Sequence, residues 1–185
     1  MLVDSGAGSC TAVLVDGAGA CELVASAAGL LELNLAYSGD GKFNASSSLF
    51  AGPEVAPAET TTSLSSSAPS AVYGQPVYLT AQVAVNAPGA GTPAGTVQFY
   101  LNGIEFGSPA PVVGGSAESM SLANLGEGSY TVMAAYSGDA SYNPSVSAEI
   151  TQSVAKAGTL TVVASQLNPA PFGQPVAVIA TVASA

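Results

Sequence analysis

Few side chains in this sequence are strong candidates for chemistry, and most are of one kind. Asp and Glu number 12 against 2 Lys and Arg, there are 2 cysteines, and histidine is absent. Without histidine there is no usual general base, no Ser-His-Asp triad, and none of the commonest metal ligand. A G-x-S-x-G nucleophile elbow is also missing. Paired carboxylates could in principle hydrolyse glycosides. Here they are spread along the chain; Glu105 and Glu118 are expected on neighbouring strands, as part of a solvated face. DGAGACE (16–22) and GAGTPAG (89–95) look like phosphate loops, but neither completes G-x-G-x-x-G or opens a helix, so both read as turns. No catalytic residue is assigned.

Two carboxylates recur in one setting. AYSGD is written at 36–40 and again at 135–139, ending on Asp40 and Asp139. Each aspartate stands where a strand gives way to a loop, and two roles are open. Calcium needs six to eight oxygens, and each loop offers one carboxylate with Ser, Asn and backbone oxygens. Glu54 and Glu59 could add to one copy, but Ser153 and Gly158 replace them in the other. The other role is an Asx turn, the side chain capping amides of its own loop. No cofactor is expected, and calcium at Asp40 and Asp139 is the alternative.

The elements that position these residues follow from a repeat. YSGD begins at Tyr37 and Tyr136, and GQPV at Gly74 and Gly173, both at an offset of 99. Between these anchors no gap is needed: Gly29 falls on Gly128, Asn44 on Asn143, Thr60 and Thr62 on Thr159 and Thr161. Joints are placed near 57 and 156. That divides the chain into the C-terminal part of a first repeat (1–57), a complete repeat (58–156) and the N-terminal part of a third (157–185). Neither flanking piece is expected to bury a full core alone.

Within the complete repeat, period-2 alternation marks strands. PVYLTAQVAV sets Val77, Leu79, Ala81, Val83 and Val85 against Tyr78, Thr80 and Gln82. SYTVMAAYSG sets Tyr130, Val132, Ala134 and Tyr136 against Thr131, Met133 and Ala135. Asn102-Gly103 is a two-residue hairpin signal, because both residues of that turn need positive φ; Gly114-Gly115 marks the next turn. AESMSL offers Met120 and Leu122 to one face, and VSAEITQSV closes the unit. Seven strands (A to G) in about 99 residues suit an all-β, immunoglobulin-like Greek-key sandwich. LGEGSYTV places Leu125, Gly128 and Tyr130 in the spacing of a tyrosine corner, where the Tyr hydroxyl bonds back to the preceding loop. Val132 takes the place of the antibody cysteine, and Phe99 or Val97 that of the buried tryptophan, since the chain has no Trp.

Together, TTSLSSSAPSAVYGQPVYLTAQV, GTVQFYLNG and GSYTVMAAYSGDASYNPS resemble a bacterial Ig-like repeat of the Big_3 group. The resemblance covers 58–156, and the flanking pieces through the shared offset; Leu31 replaces the corner tyrosine in the first copy. It implies an extracytoplasmic spacer or adhesive stalk in a long secreted or surface-attached bacterial protein, not an enzyme. Partners are then the neighbouring repeats, with a carbohydrate or protein ligand as the alternative.

The remaining features bound that reading. Only 8% of residues are charged and the net charge is −10, so phosphates and anionic membranes find no basic patch. No apolar run is long enough for a spanning helix. MLVDSGAGSC has no basic n-region or apolar h-region, and residue 1 is read as falling inside a longer parent chain. Cys10 and Cys21 flank TAVLVDGAGA, whose Asp16-Gly17 reads as a hairpin turn, and by the offset they map to Pro109 and Met120. They are read as a cross-strand disulfide worth about 2–3 kcal/mol, which would require an oxidising compartment; two buried thiols are the alternative. Asn44-Ala45-Ser46 fits a glycosylation sequon.

Overall fold

The computed structural model describes residues 1–4 and 8–185. Among them there are 15 strands and no helix, and hence no helix long and apolar enough to cross a membrane. The N-terminal part is one antiparallel sheet of β1 (Leu2–Asp4), β2 (Ser9–Thr11), β3 (Gly29–Tyr37) and β4 (Ser46–Val55), in the order β2-β1-β3-β4. Leucines at alternate positions of β3 give it an apolar inner face of Leu31, Leu33 and Leu35, all half-buried.

The middle part holds β5 (Thr60–Ser66), β6 (Ser70–Val72), β7 (Leu79–Val85), β8 (Thr96–Leu101), β9 (Ile104–Pro111), β10 (Ser116–Glu118), β11 (Gly128–Tyr136), β12 (Ser145–Val146) and β13 (Ile150–Ala155). One sheet runs β10-β7-β5; the other runs β6-β13-β11-β8-β9, with β12 added on β11. Alternation dictates the packing between them. Leu79, Ala81 and Val83 point in from the first sheet, and Val97, Phe99, Val132, Ala134 and Tyr136 from the second, all buried in one core. Each large apolar side chain buried there contributes about 1.5–3 kcal/mol. Phe99 and Val97 both occupy the centre, 1% and 0% exposed, so the tryptophan's place is shared between them.

The hairpin turns follow their residues. Asn102 and Gly103 have φ of 50° and 77°, and Asp16 and Gly17 have 51° and 80°, the positive values a two-residue turn between right-twisted strands demands. Gly114-Gly115 closes a third such turn beneath the Val113–Ser116 bridge.

Four sequence expectations need correcting. Met120 and Leu122 do not share a face: β10 stops at Glu118, Ser119 turns inward to accept a bond from the Leu79 N–H at 3.0 Å, and Met120 is left 63% exposed. Glu105 and Glu118 are not on neighbouring strands, because β9 pairs with β8 in one sheet while β10 pairs with β7 in the other. The closing strand is broken into β12 and β13, the break being held by Ser147, whose hydroxyl accepts the Ala134 N–H at 3.0 Å. Cys10 and Cys21 are disulfide-bonded, with Cα atoms 6.0 Å apart, but not across two strands: Cys10 is on β2, and Cys21 lies in the loop leading to β3.

The C-terminal part is a hairpin of β14 (Thr159–Ser165) and β15 (Val178–Ser184), exposed on both faces.

Candidate functional site

The repeated aspartates organise two equivalent loops. β11 ends on the buried Tyr136, and the chain must then reverse. Gly138 makes the turn at φ 74°, where a Cβ would lie 2.8 Å from the Tyr142 carbonyl oxygen and 3.0 Å from the Pro144 nitrogen. Asp139 holds it. Its Oδ1 accepts the N–H groups of Ser141 at 2.8 Å and Tyr142 at 3.0 Å. Its Oδ2 accepts the Ala94 N–H at 2.9 Å and the Tyr136 hydroxyl at 3.4 Å. In the first copy, Asp40 Oδ1 accepts the N–H groups of Lys42 at 2.7 Å and Phe43 at 2.9 Å, and Oδ2 accepts the Tyr37 hydroxyl at 2.9 Å. Both are Asx turns with a tyrosine anchor.

The electrostatics match. Burial opposes charge on Asp139, but the N–H groups of Ser141, Ala94 and Tyr142 and the Tyr136 hydroxyl outweigh it and hold the carboxyl below its usual value. Asp40 is likewise lowered, first by the Lys42 N–H, then by the Tyr37 hydroxyl and the Phe43 N–H. Burial, with the charge of Asp139 beside it, pushes Tyr136 up to about 12. A tyrosine raised on folding stabilises the fold fully below its unfolded value near 10, and that contribution is lost as pH rises through about 12. Asp139 works in the opposite sense, its contribution fading as pH falls through its lowered folded value. Urea unfolding at increasing pH should therefore show stability declining above about pH 10, and Tyr136→Phe should flatten that decline; an unchanged alkaline limb would refute the assignment.

Both carboxylate oxygens of Asp139 are thus engaged by N–H or O–H donors of the protein itself. Among the described residues no three His, Cys, Asp or Glu side chains converge on a point. Glu59, a candidate additional ligand, instead accepts the Asn143 side-chain amide at 2.9 Å. Millimolar calcium should leave the melting temperature of the chain unchanged; a rise abolished by Asp139→Asn would show that the loop binds the ion.

The same loop grips the segment entering the middle unit. The Ala58 N–H donates to the Ser141 carbonyl at 2.8 Å, and the Asn143 N–H to the Ala58 carbonyl at 2.9 Å, so that Ala58 and Tyr142 form a parallel bridge. Thr60 Oγ1 donates to the Asn143 carbonyl at 2.8 Å and lies 2.8 Å from Ser145 Oγ, which also contacts Thr62 Oγ1 at 2.7 Å. From the first unit, the Ala28 N–H reaches Ser141 Oγ at 3.3 Å. An open groove of about 490 Å³ lies at this joint, lined by Val24, Val55, Pro88 and Tyr142 among others.

Residues 64–155 match the family model of the bacterial Ig-like domain (group 3). The middle unit is a group 3 bacterial Ig-like domain. Its match runs from within β5 to the last residue of β13, taking in the Asp139 loop. No curated protein matches the chain. Among solved structures it is similar to the fibronectin(III)-like modules of Clostridium thermocellum CbhA, at 14% identity over 84% of this chain and 76% of that one. The TM-score of 0.37 is too low to carry an argument.

Other singled-out residues of the Ig-like domain have structural settings. The Tyr130 hydroxyl donates to the Gly126 carbonyl at 3.1 Å, the bond of a tyrosine corner. Gly128 opens β11 opposite Val154. Asn102 Oδ1 accepts the Thr131 N–H at 2.9 Å, tying the Asn102-Gly103 hairpin to β11.

Three residues went unassigned in the sequence reading: Ser141, Asn143 in its joint role, and Gln152. Gln152 is 0% exposed. Its amide nitrogen donates to the carbonyls of Ala68 at 2.8 Å, Ser153 at 3.1 Å and Pro69 at 3.3 Å, and its oxygen accepts the Ser66 hydroxyl at 2.6 Å. A signal existed: in ITQSV the alternation that turns Ile150 and Val154 inward turns Gln152 inward too.

Proposed function

We propose that this chain is a non-catalytic spacer, part of the stalk of an extracellular or cell-surface bacterial protein, built from successive units of about 99 residues. The observation that carries the reading is the joint. A binding domain holds its end loops out to a ligand. Here the loop of Asp139 is spent inward on Ala94 and outward on Ala58 and Ala28, the residues that precede and adjoin it. The neighbouring units are thus the partners this surface fits. The disulfide supports an oxidising, extracytoplasmic location.

The second reading, an adhesive module for carbohydrate or protein, has the joint groove in its favour. Sugar recognition draws on exposed aromatic rings. The groove offers Tyr142 alone, with its hydroxyl committed to the Ala90 carbonyl at 2.9 Å.

Small-angle scattering on chains lengthened by one and two copies of 58–156 tests the spacer. The maximum dimension should grow by roughly 30–40 Å per added unit, the length of strands of eight to ten residues and their loops. A dimension that does not grow, or saturable binding of a glycan lost on Tyr142→Ala, would favour the adhesive reading.

A further inference from the structure

One depression lies away from the joint, on the outer face of β8, β9 and β11. It is open, with a volume of about 570 Å³. Alternation builds it. Val97 and Phe99 point into the core, so Gln98 and Tyr100 point out, both half-buried. The register sets Tyr100 between Met133 of β11 and Glu105 of β9. Residues directly opposite in an antiparallel pair have Cβ atoms about 4.5–5.5 Å apart, so a ring, a thioether and a carboxylate sit side by side. Gln98 has only the small Ala135 opposite it on β11, which leaves the space.

On the other side of Gln98 the edge strand swells. β9 pairs Phe106 with Phe99 and Ala110 with Val97, so residues 107–109 stand opposite Gln98 alone. Gly107, at φ 70°, starts the bulge. The Gln98 amide nitrogen fills it, donating to the carbonyls of Phe99 at 2.8 Å, Gly107 at 3.3 Å and Phe106 at 3.4 Å. Bulges re-aim side chains at sheet edges and beside active sites. At the far end Ser137 is committed too: its oxygen accepts the Thr96 N–H at 3.1 Å, and its hydroxyl donates to the Gly138 carbonyl at 2.9 Å. Among the described residues, four side-chain groups of the depression are left without a bond from the protein. They are the Gln98 oxygen, the Glu105 carboxylate and the hydroxyls of Tyr100 and Ser108.

All four groups accept hydrogen bonds, and one is charged. A flat, donor-only cation matches them: a guanidinium has five N–H donors, no acceptor, and stacks on aromatic rings. We propose that this face binds a basic segment of a partner protein, seating an arginine against the Tyr100 ring with its guanidinium bonded to Glu105 and the Gln98 oxygen. Charge selects that partner, because a chain of net charge −10 draws a basic segment and repels an acidic one. The chain's own 2 cations are placed elsewhere, Lys156 beside Glu127 at 3.4 Å and Lys42 in the Asp40 loop. Pro109 and Pro111 deprive β9 of N–H groups, so the partner does not add as a further strand and side chains carry the recognition. The inference concerns a lateral face of the domain; it goes beyond the spacer role and does not depend on it.

Titration of the isotope-labelled full chain with a capped tetra-arginine peptide at low ionic strength, followed by NMR, tests this. The expected result is saturable shifts centred on Gln98, Tyr100 and Glu105, weakening as salt is added. Glu105→Gln should weaken binding about fivefold, and Tyr100→Leu about two- to fivefold. Glu118→Gln removes the same charge from the other sheet and should leave the affinity unchanged. Absence of saturable binding overturns the proposal. So does an equal loss from Glu118→Gln, which would show mere attraction to an acidic chain. Shifts of the same residues by a neutral oligosaccharide, with none by the peptide, would give the face to sugar instead and overturn it as well. Each substitution lies on the outer surface, and the spectrum itself reports whether the variant is folded.

Discussion

Replacing Gln152 by leucine should cost the Ig-like domain about 3–4 kcal/mol, although the two side chains are close in size. The expectation follows from what is left behind. The amide is fully buried and bonded at both ends: it caps the Ala68 carbonyl and holds the Ser66 hydroxyl. Leucine keeps the volume but strands both groups, and each buried group left without a partner costs about 1–3 kcal/mol. The Pro69 carbonyl suffers less, because it also accepts the Ser153 N–H at 2.9 Å. Chemical denaturation of Gln152→Leu measures the loss; a change below about 1 kcal/mol would mean that water or a shift of the 66–69 segment replaces the amide. Gln152→Glu gives a signed companion result. A carboxylate facing the Ala68, Pro69 and Ser153 carbonyls must take up a proton, so its folded pKa is raised. The variant should then be least impaired below the ordinary Glu value of about 4.3 and worsen as pH rises.

Gly138→Ala should be nearly as damaging, at about 2–4 kcal/mol. Two effects combine. A φ of 74° is left-handed, costing a side-chain-bearing residue about 1–2 kcal/mol. The new Cβ would also meet the Tyr142 carbonyl oxygen at 2.8 Å, and that residue's N–H is one of the bonds holding Asp139. For a domain of this size the melting temperature should fall by roughly 10 °C or more. Gly103→Ala separates the two effects. Its φ of 77° is equally left-handed, but nothing lies within 4 Å of the added carbon. It should therefore cost only the torsional part, and equal losses at the two positions would remove the steric part of the argument.

What was legible in the sequence was whatever one strand or one turn declares by itself. β7 and β11 alternate cleanly, and their inward residues are those that alternation names. Asn102-Gly103 turns because few other pairs tolerate two positive φ values, and the corner tyrosine is set by its spacing from Leu125 and Gly128. What was not legible depended on a partner elsewhere in the chain. β6 is three residues long, too short for a period, and exists as a strand because β13 lies beside it. β9 joins β8 while β10 crosses to β7, and nothing in the residues around Glu105 or Glu118 states which sheet receives them. Met120 was turned outward by one residue of phase when β10 ended early. The aspartate loops were half legible: the Asx turn could be foreseen from Asp and Gly, but the reach of Ser141 and Asn143 to Ala58 spans over eighty positions and leaves no local mark.

The short strand β6 has a consequence beyond packing. Its pairing with β13 is the one parallel pairing between named strands of the domain, matching Ser70, Ala71 and Val72 to Ser153, Val154 and Ala155. The chain enters the domain ahead of β5 and β6 and leaves it directly after β13. Tension applied through the two neighbours therefore draws β6 and β13 in opposite directions along their own length. Bonds lying across that line are strained together and must break together; in a hairpin pulled from its open end they yield one after another. The Ser153 N–H to Pro69, the Tyr73 N–H to Ala155 and the Gln152 amide all lie in that patch. A patch of three strand positions thus acts as a mechanical latch against tension carried from one side of the domain to the other.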